Sequence, residues 1–391
     1  MMNGNFEYQT PTHIYFGDNK LDMIGTELSK YGKKVLMVYD SGWIKDTSWY
    51  PTVIKSIEDA ELELYELGGI QPNPVTTKVN EAATICKNEG IDVMLAIGGG
   101  SVIDTCKLAS PAVFYDGDCW DFISGKAKME KFLPIVTIST ISGTGSEMDA
   151  YGIVSNEATH DKLPFFHTGL FPTATFLDPT ITYSVSPFQT ACGAIDAFSH
   201  FLEVYFMRPN LKVLDNIMEG FMKTIIEYIP KVMANPNDYD ARANIMWASS
   251  WALNGFTYGP TNGVPFMCHW IEDEVSAKYN ITHGLGLAII LPHYLDYCLN
   301  EKSAYIYKEL AVNVFGLDAD MDDIEAGKKV IEILKDLFFN VCGLKPKLTD
   351  YVDMDDTYLD EMARIACRDG VVHGFVDMSQ EDAKNILKLS M

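Results

Sequence analysis

Asp196 and His200 stand four residues apart in the run Ala191–Glu203, a spacing that puts a carboxylate and an imidazole on one face of a helix. Two more imidazoles follow: His269 in Met267-Cys268-His269, and His283 directly before Gly284, where a helix can begin. One carboxylate with three neutral imidazoles is a mixed oxygen and nitrogen donor set that suits Fe2+ or Zn2+. It leaves the ion a residual positive charge, and that charge would act on a substrate oxygen. Taken singly, each histidine is equally explained as a hydrogen-bonded core or helix-end residue. Only convergence of the helices, which spacing does not reveal, would make them a site.

Neighbouring groups compete for the same role. Glu203, three residues beyond His200 on the same stripe, reads better as a carboxylate orienting an imidazole than as a ligand. Cys268 adjoins His269, but successive helical residues point about 100° apart, so one ion would not take both. His13, His160, His167, His293 and His373 lack a partnered spacing and read as surface, pocket-lining or structural residues. Phe256, Val264, Pro265 and Phe266 precede His269 and would form either an apolar substrate wall or ordinary packing.

The first half offers a different chemistry. The apolar run Ile91–Ile97 breaks into Gly98-Gly99-Gly100-Ser101 and opens a helix. In such a turn, free backbone N–H groups and a helix N-terminus can cradle a phosphate. The usual dinucleotide fingerprint would place Gly at position 103, where this chain has Ile. A second polar loop, Ser139-Thr140-Ile141-Ser142-Gly143-Thr144-Gly145-Ser146-Glu147, follows the next strand, and two such loops favour a dinucleotide over a lone phosphate. Asp40 ends the run Lys33–Tyr39, where a carboxylate would accept from an adenosine ribose and repel a 2′-phosphate, or would simply serve the turn before Ser41-Gly42.

These residues need elements to hold them. Strand-like runs at His13–Phe16, Lys34–Tyr39, Leu62–Leu67, Val93–Ile97 and Ile135–Ser139 alternate with amphipathic stretches at Val53–Ala60 and Thr76–Asn88, the pattern of an α/β, Rossmann-like domain. Ser186-Pro187 is a helix-start signal. Beyond it the chain reads as helical, at Leu211–Tyr228, Asp240–Asn254, Ser303–Phe315 and Met321–Phe338, with Pro230 and Gly316 as breakers. The sequence therefore predicts a dinucleotide-binding α/β domain over residues 1–186 and an all-α metal and substrate domain over 187–391.

Composition bounds the rest. The chain has 391 residues, 47% of them hydrophobic and 21% charged, as in an ordinary globular protein. A net charge of −24 opposes nucleic-acid partners and anionic membranes. No apolar run approaches the ~20 residues of a membrane helix, and Met1–Thr10 lacks a signal-peptide pattern, so a cytoplasmic location is expected. Eight scattered cysteines without a CxxC pair suggest neither disulfides nor a thiolate metal site.

Taken together, the motifs resemble the iron-containing, group III alcohol dehydrogenases, in particular their butanol dehydrogenase-like branch. The likeness rests on Pro11–Gly17, Gln71–Pro74, Gly98–Asp104 with Lys107, Gly143–Glu147, Leu177–Pro179, Gly193–Glu203 and Tyr279–Ala288, and so spans nearly the whole chain. It implies the two-domain architecture shared with dehydroquinate synthase, with cofactor and metal between the domains, and frequently a homodimer. It also implies that Asp196, His200, His269 and His283 are the metal ligands, and that Asp40, Gly99, Gly100, Ser101, Thr140 and Lys162 belong to the cofactor site. Two positions depart from the branch pattern. Asp273 stands where a second histidine four residues after the third ligand is common. Asp40-Ser41 replaces a usual Gly-Gly, which favours NAD over NADP.

The expected reaction is hydride transfer between a small alcohol or aldehyde and NAD(P), aided by Fe2+ or Zn2+ as Lewis acid, with Asp273 relaying a proton or altering the pocket's charge. The rival readings are a metal- and NAD-dependent lyase of the dehydroquinate synthase type and a non-catalytic nucleotide-binding protein.

Overall fold

The computed structural model describes residues 6–159, 161–207, 211–259, 261 and 263–391. Its strands are β1 (His13–Phe16), β2 (Lys34–Tyr39), β3 (Glu63–Leu67), β4 (Val93–Gly98), β5 (Ile135–Ser139), β6 (Tyr151–Asn156), β7 (Asp161–Phe166) and β8 (Ala174–Leu177). Six form one parallel sheet in the order β1-β8-β5-β4-β2-β3, while β6 and β7 pair antiparallel as a separate hairpin. The continuous apolar runs of β2 and β4 follow from burial on both faces, as parallel sheets require. Val35, Met37, Val93, Leu95 and Ile97 pack with α1 (Ile24–Leu28) and α2 (Tyr50–Asp59). Leu36, Val38, Met94 and Ala96 turn the other way, toward α3 (Thr76–Glu89) and α4 (Gly100–Ala112). A short α5 (Trp120–Ile123) follows.

The sheet has one reversal. From β2 the chain moves outward to β3, whereas β4 lies on the other side of β2. Tyr39 is level with Ile97, so Asp40 and Gly98 leave neighbouring strands side by side at this switch point. Ligands of open α/β sheets bind at such a place, outside the carboxyl ends of the strands.

From Pro187 onward the protein is helical: α6 (Pro187–Phe206), α7 (Lys212–Ala234), α8 (Tyr239–Trp251), α9 (Met267–Tyr279), α10 (His283–Cys298), α11 (Ala304–Asn313), α12 (Asp323–Lys335), α13 (Leu359–Ala366) and α14 (Gln380–Ser390). Ser186 caps α6 by accepting from the Gln189 N–H, with Pro187 at the first helical position. Contrary to its reading as a breaker, Pro230 lies within α7, where one lost hydrogen bond near the end leaves room for one more turn. Gly316 does follow α11, with φ of 67°.

The chain divides into two compact units, Gln9–Val185 and Ser186–Met391. Residues 6–8 pack with the helical unit rather than with the sheet they precede, and the Tyr8 ring meets Phe256 edge-on at 5.5 Å. Among the described residues, no helix is long and apolar enough to cross a membrane.

Candidate metal centre

Every residue of α6 from Thr190 to Phe206 is buried. A helix buried all round should be apolar, yet this one carries Asp196, His200 and Glu203, whose polar atoms need partners at depth. Two helices supply them. His269 lies in the first turn of α9, and His283 is the first residue of α10.

Their imidazoles converge on one oxygen. His200 Nε2 lies 3.6 Å from Asp196 Oδ1, and His269 Nε2 and His283 Nε2 each lie 3.7 Å from it. These separations are too long for hydrogen bonds. Among the described residues, Asp196 Oδ1 and His269 Nε2 have no hydrogen-bond partner, nor does His200 Nδ1. Two ligand atoms about 2.1 Å from one tetrahedral ion sit about 3.4 Å apart, so the spacing that fails for hydrogen bonding suits a shared cation. The donor set fits as well, with one carboxylate and three imidazoles. Asp196, His200 and His269 offer ligand atoms within 4.8 Å of one another, and His283 joins through Asp196 Oδ1.

The far edges of two rings are anchored by buried carboxylates. Glu203 Oε2 accepts from His269 Nδ1, while Glu203 Oε1 accepts from the Cys268 N–H at 2.8 Å. Glu272 Oε2 accepts from His283 Nδ1, and Glu272 Oε1 accepts from the Ser276 hydroxyl. With Nδ1 donating, a neutral ring keeps its Nε2 lone pair toward Asp196, the usual orientation of a metal-bound imidazole. Glu203 thus orients an imidazole, as its spacing suggested. Glu272 was not anticipated, because a glutamate in a mid-helix charged run reads as solvent-facing, yet it is fully buried.

Two glycines allow this approach. A Cβ on Gly284 would stand 2.1 Å from the Cys192 carbonyl oxygen, so only glycine lets the start of α10 lie against α6. A Cβ on Gly286 would stand 2.4 Å from Glu272 Oε1.

Burial and neighbouring charge oppose each other at these groups. Burial would raise the Asp196 carboxyl, but His200 and the other two imidazoles hold it well below the usual carboxylate range. Burial pushes the His200 imidazolium down to about 3, against the pull of Asp196. Burial also opposes a proton on His269, but Glu203 and Asp196 outweigh it and raise this ring to about 10. These carboxylates thus favour a positive charge on His269, and a divalent ion would supply positive charge in place of that proton.

Asp273 is half-buried on α9, one turn after His269, with Oδ1 4.0 Å from His283 Nδ1. Of the four residues considered for an apolar wall, Phe266 meets the cluster, edge-on to His200 at 6.1 Å and to His269 at 5.6 Å. Phe256 packs instead against Trp251 and Tyr8. The histidines set aside are accounted for locally: His13 packs on Tyr15, His167 Nδ1 accepts from the Gly169 N–H, His373 pairs with Asp377, and half-buried His293 has its pKa lowered by burial. His160 lies outside the described residues.

In the α/β unit, Gly99 is the N-cap of α4, and no side chain caps that helix. Thr140 N–H donates to the Gly98 carbonyl at 3.1 Å, so the two glycine-bearing loops begin side by side. Asp40 Oδ2 accepts from the Trp43 indole at 2.7 Å. Gly99, Gly100, Ser101, Thr140 and Asp40 thus gather at the switch point, an uncapped helix N-terminus fit for a pyrophosphate. Lys162 stands apart in sequence on β7, in register with Ser155.

Comparison with known proteins follows this division. A family model described as iron-containing alcohol dehydrogenase matches residues 11–179, and one described as Fe-containing alcohol dehydrogenase family, C-terminal, matches residues 190–391. The chain is similar to NADH-dependent butanol dehydrogenase B of Clostridium acetobutylicum, 40% identical over 391 residues, with 99% of this chain and 100% of the relative covered. It is similar to NADPH-dependent aldehyde reductase YqhD of Escherichia coli, 32% identical with 89% of each chain covered. Among solved structures it is similar to NADH-dependent butanol dehydrogenase A from Thermotoga maritima, with a TM-score of 0.92, 34% identity, and 99% and 98% of the chains covered.

Proposed function

The chain belongs to the iron-containing alcohol dehydrogenase family, and from that premise we propose that it moves hydride between a small primary alcohol or its aldehyde and NAD, with Asp196, His200, His269 and His283 holding Fe2+ or Zn2+. The observation that carries the reading is the convergence of three imidazole Nε2 atoms within 3.7 Å of one unpartnered carboxylate oxygen. Held there, a divalent ion would supply Lewis acidity toward a substrate oxygen. NAD supplies the hydride acceptor.

The chain's own residues do the rest. Glu203 and Glu272 keep protons on Nδ1 of their imidazoles, so that the Nε2 lone pairs stay available. Phe266 excludes water beside His200 and His269. Asp273 is the group we assign to the hydroxyl proton, which Oδ1 would accept during oxidation and return during reduction. Its position one turn after His269 supports this. Gly99, Gly100, Ser101 and Thr140 bind the pyrophosphate with backbone N–H and hydroxyl groups, Lys162 adds a positive charge, and Asp40 accepts from the adenosine ribose. NAD is favoured over NADP because a carboxylate there repels a 2′-phosphate. NADH in the names of the butanol dehydrogenases points the same way.

The matched relatives bear alcohol dehydrogenase and aldehyde reductase names, which supports hydride transfer to a separate substrate over the lyase reading. We further propose that residues 1–186 serve the dinucleotide and 187–391 the metal and substrate, in a cytoplasmic homodimer.

The test is to strip the protein of metal, reload it with Fe2+ or Zn2+, and follow NADH formation from primary alcohols. Wild type should regain stoichiometric metal and turnover, and Asp196→Ala and His269→Ala should regain neither. Full metal binding by both variants would refute the ligand assignment. An Asp273→Ala variant that kept both kcat/KM and its pH profile would remove the proton role.

A further inference from the structure

Lys107 is fully buried on α4, seven residues beyond the Gly100 that starts the helix. Its three ammonium protons have three acceptors: Ser146 Oγ at 2.8 Å, Asp149 Oδ1 at 2.7 Å and the Tyr151 carbonyl at 2.7 Å. Ser146 passes the connection on, donating to Asp104 Oδ1 at 2.6 Å. Both carboxylates then reach the backbone of β6. Asp149 Oδ1 accepts from the Tyr151 N–H at 2.8 Å, and Asp104 Oδ2 from the Ile153 N–H at 3.0 Å.

These bonds complete the edge of the hairpin. In β6, residues alternate in the direction of their N–H groups, and one set faces β7. The other set, Tyr151, Ile153 and Ser155, would be left bare at the opposite, half-buried edge. Asp149 and Asp104 satisfy the first two, and the Pro74 carbonyl accepts from Ser155 at 2.8 Å. Side chains of α4 and of the loop after β5 thus stand where a further strand would be. Ser155 is in turn paired with Lys162 on β7.

A buried ion pair is weak evidence for stability as such, because desolvation offsets much of the attraction. What this one provides is alignment: it fixes β6 to the same helix whose N-terminus is Gly99-Gly100. We infer that Lys107, together with Asp104, Ser146 and Asp149, is a positioning unit for the dinucleotide, setting where Lys162 stands relative to the pyrophosphate turn without touching the cofactor. The inference rests on the cofactor site proposed above.

The experiment is fluorescence titration of the metal-loaded full chain with NADH, alongside circular dichroism and metal affinity. The variants are Ser146→Ala, which removes only the relay hydroxyl, and Lys107→Met/Asp149→Asn, which removes both buried charges at once. Expected is a weakening of NADH binding of about threefold for the first and about tenfold or more for the second, with metal affinity unchanged. Because the unit acts through Lys162, the loss caused by the double change should shrink in a Lys162→Ala background, as coupled residues do in a double-mutant cycle. Unchanged NADH affinity in the folded variants would overturn the inference, as would losses that add fully to that of Lys162→Ala. Should the double variant not fold, Ser146→Ala and its cycle with Lys162→Ala decide alone. Failure of the unaltered protein to bind NADH would refute the cofactor site itself, a different result.

Discussion

Glu272 on α9 accepts the Nδ1 proton of His283, the first residue of α10, so a fully buried carboxylate on one helix sets the ring orientation on the next. Glu203 on α6 does the same for His269 on α9. Each helix of the cluster is thereby tied to another through an imidazole.

Replacing Glu272 by Gln keeps the shape but removes the charge that makes His283 a stronger donor. Loss of such a partner typically costs about 10- to 100-fold in metal affinity. Chelator competition with Zn2+ should show a rise in Kd of that order, with helical content unchanged. An unaltered Kd would separate Glu272 from the metal.

Gly284→Ala should destabilise the helical unit. The added methyl would stand 2.1 Å from the Cys192 carbonyl oxygen, and neither a Cβ nor a helix backbone atom can rotate away. Overpacking of this kind costs about 1–3 kcal/mol. Denaturant titration measures the loss, and metal affinity should fall with it because His283 moves with the turn.

Asp40→Gly should raise the kcat/KM for NADP relative to that for NAD. The carboxylate is held by the Trp43 indole at 2.7 Å, so its charge is fixed beside Gly98 rather than free to swing away. An unchanged ratio between the two cofactors would show that Asp40 serves only its turn.

Asp149 gives the α/β unit a pH dependence of defined sign. Burial raises its carboxyl to about 7, outweighing the attraction of Lys107. Between the unfolded value near 4 and this folded value, the native state holds a proton that the unfolded chain has lost. This group's contribution to stability is therefore complete below about pH 4, declines as pH rises toward about 7, and is level above. Comparing Asp149→Asn with wild type in denaturant titrations across that window should show a flatter profile for the variant; a parallel decline would reject the assignment.

Much of this arrangement is legible in the residues themselves, and the remainder fails for physical reasons. β2, β4 and β5 announce themselves because strands buried on both faces must be continuously apolar. β6 and β7 do not: β7 reads Asp-Lys-Leu-Pro-Phe-Phe, with a proline that strands rarely hold away from an edge, and it is an edge. β8 is only four residues long and lies close before the Ser186-Pro187 helix start.

At the proposed metal centre, Asp196, His200 and Glu203 are visible together because helical spacing brings them to one stripe. Their convergence with His269 and His283 depends on how three helices cross, which no spacing encodes. Glu272 is hidden for the same reason, since its partner lies on another helix. The one sign that could have found it is the Gly284-Leu285-Gly286 run, where missing side chains leave room for the Cys192 carbonyl and the Glu272 carboxylate.

The burial of α6 also governs how an ion would leave. A helix enclosed on every side exchanges its amides only when the whole unit opens, so Asp196 and His200 have no cheap local route to let go. His283 is the most exposed of the four, its side chain about a quarter accessible, and a turn of only three residues, Asn280 to Thr282, separates α9 from α10. An ion held here would therefore meet its least enclosed ligand beside that turn, and opening of three residues that do not bind it would be the shortest way to loosen its hold.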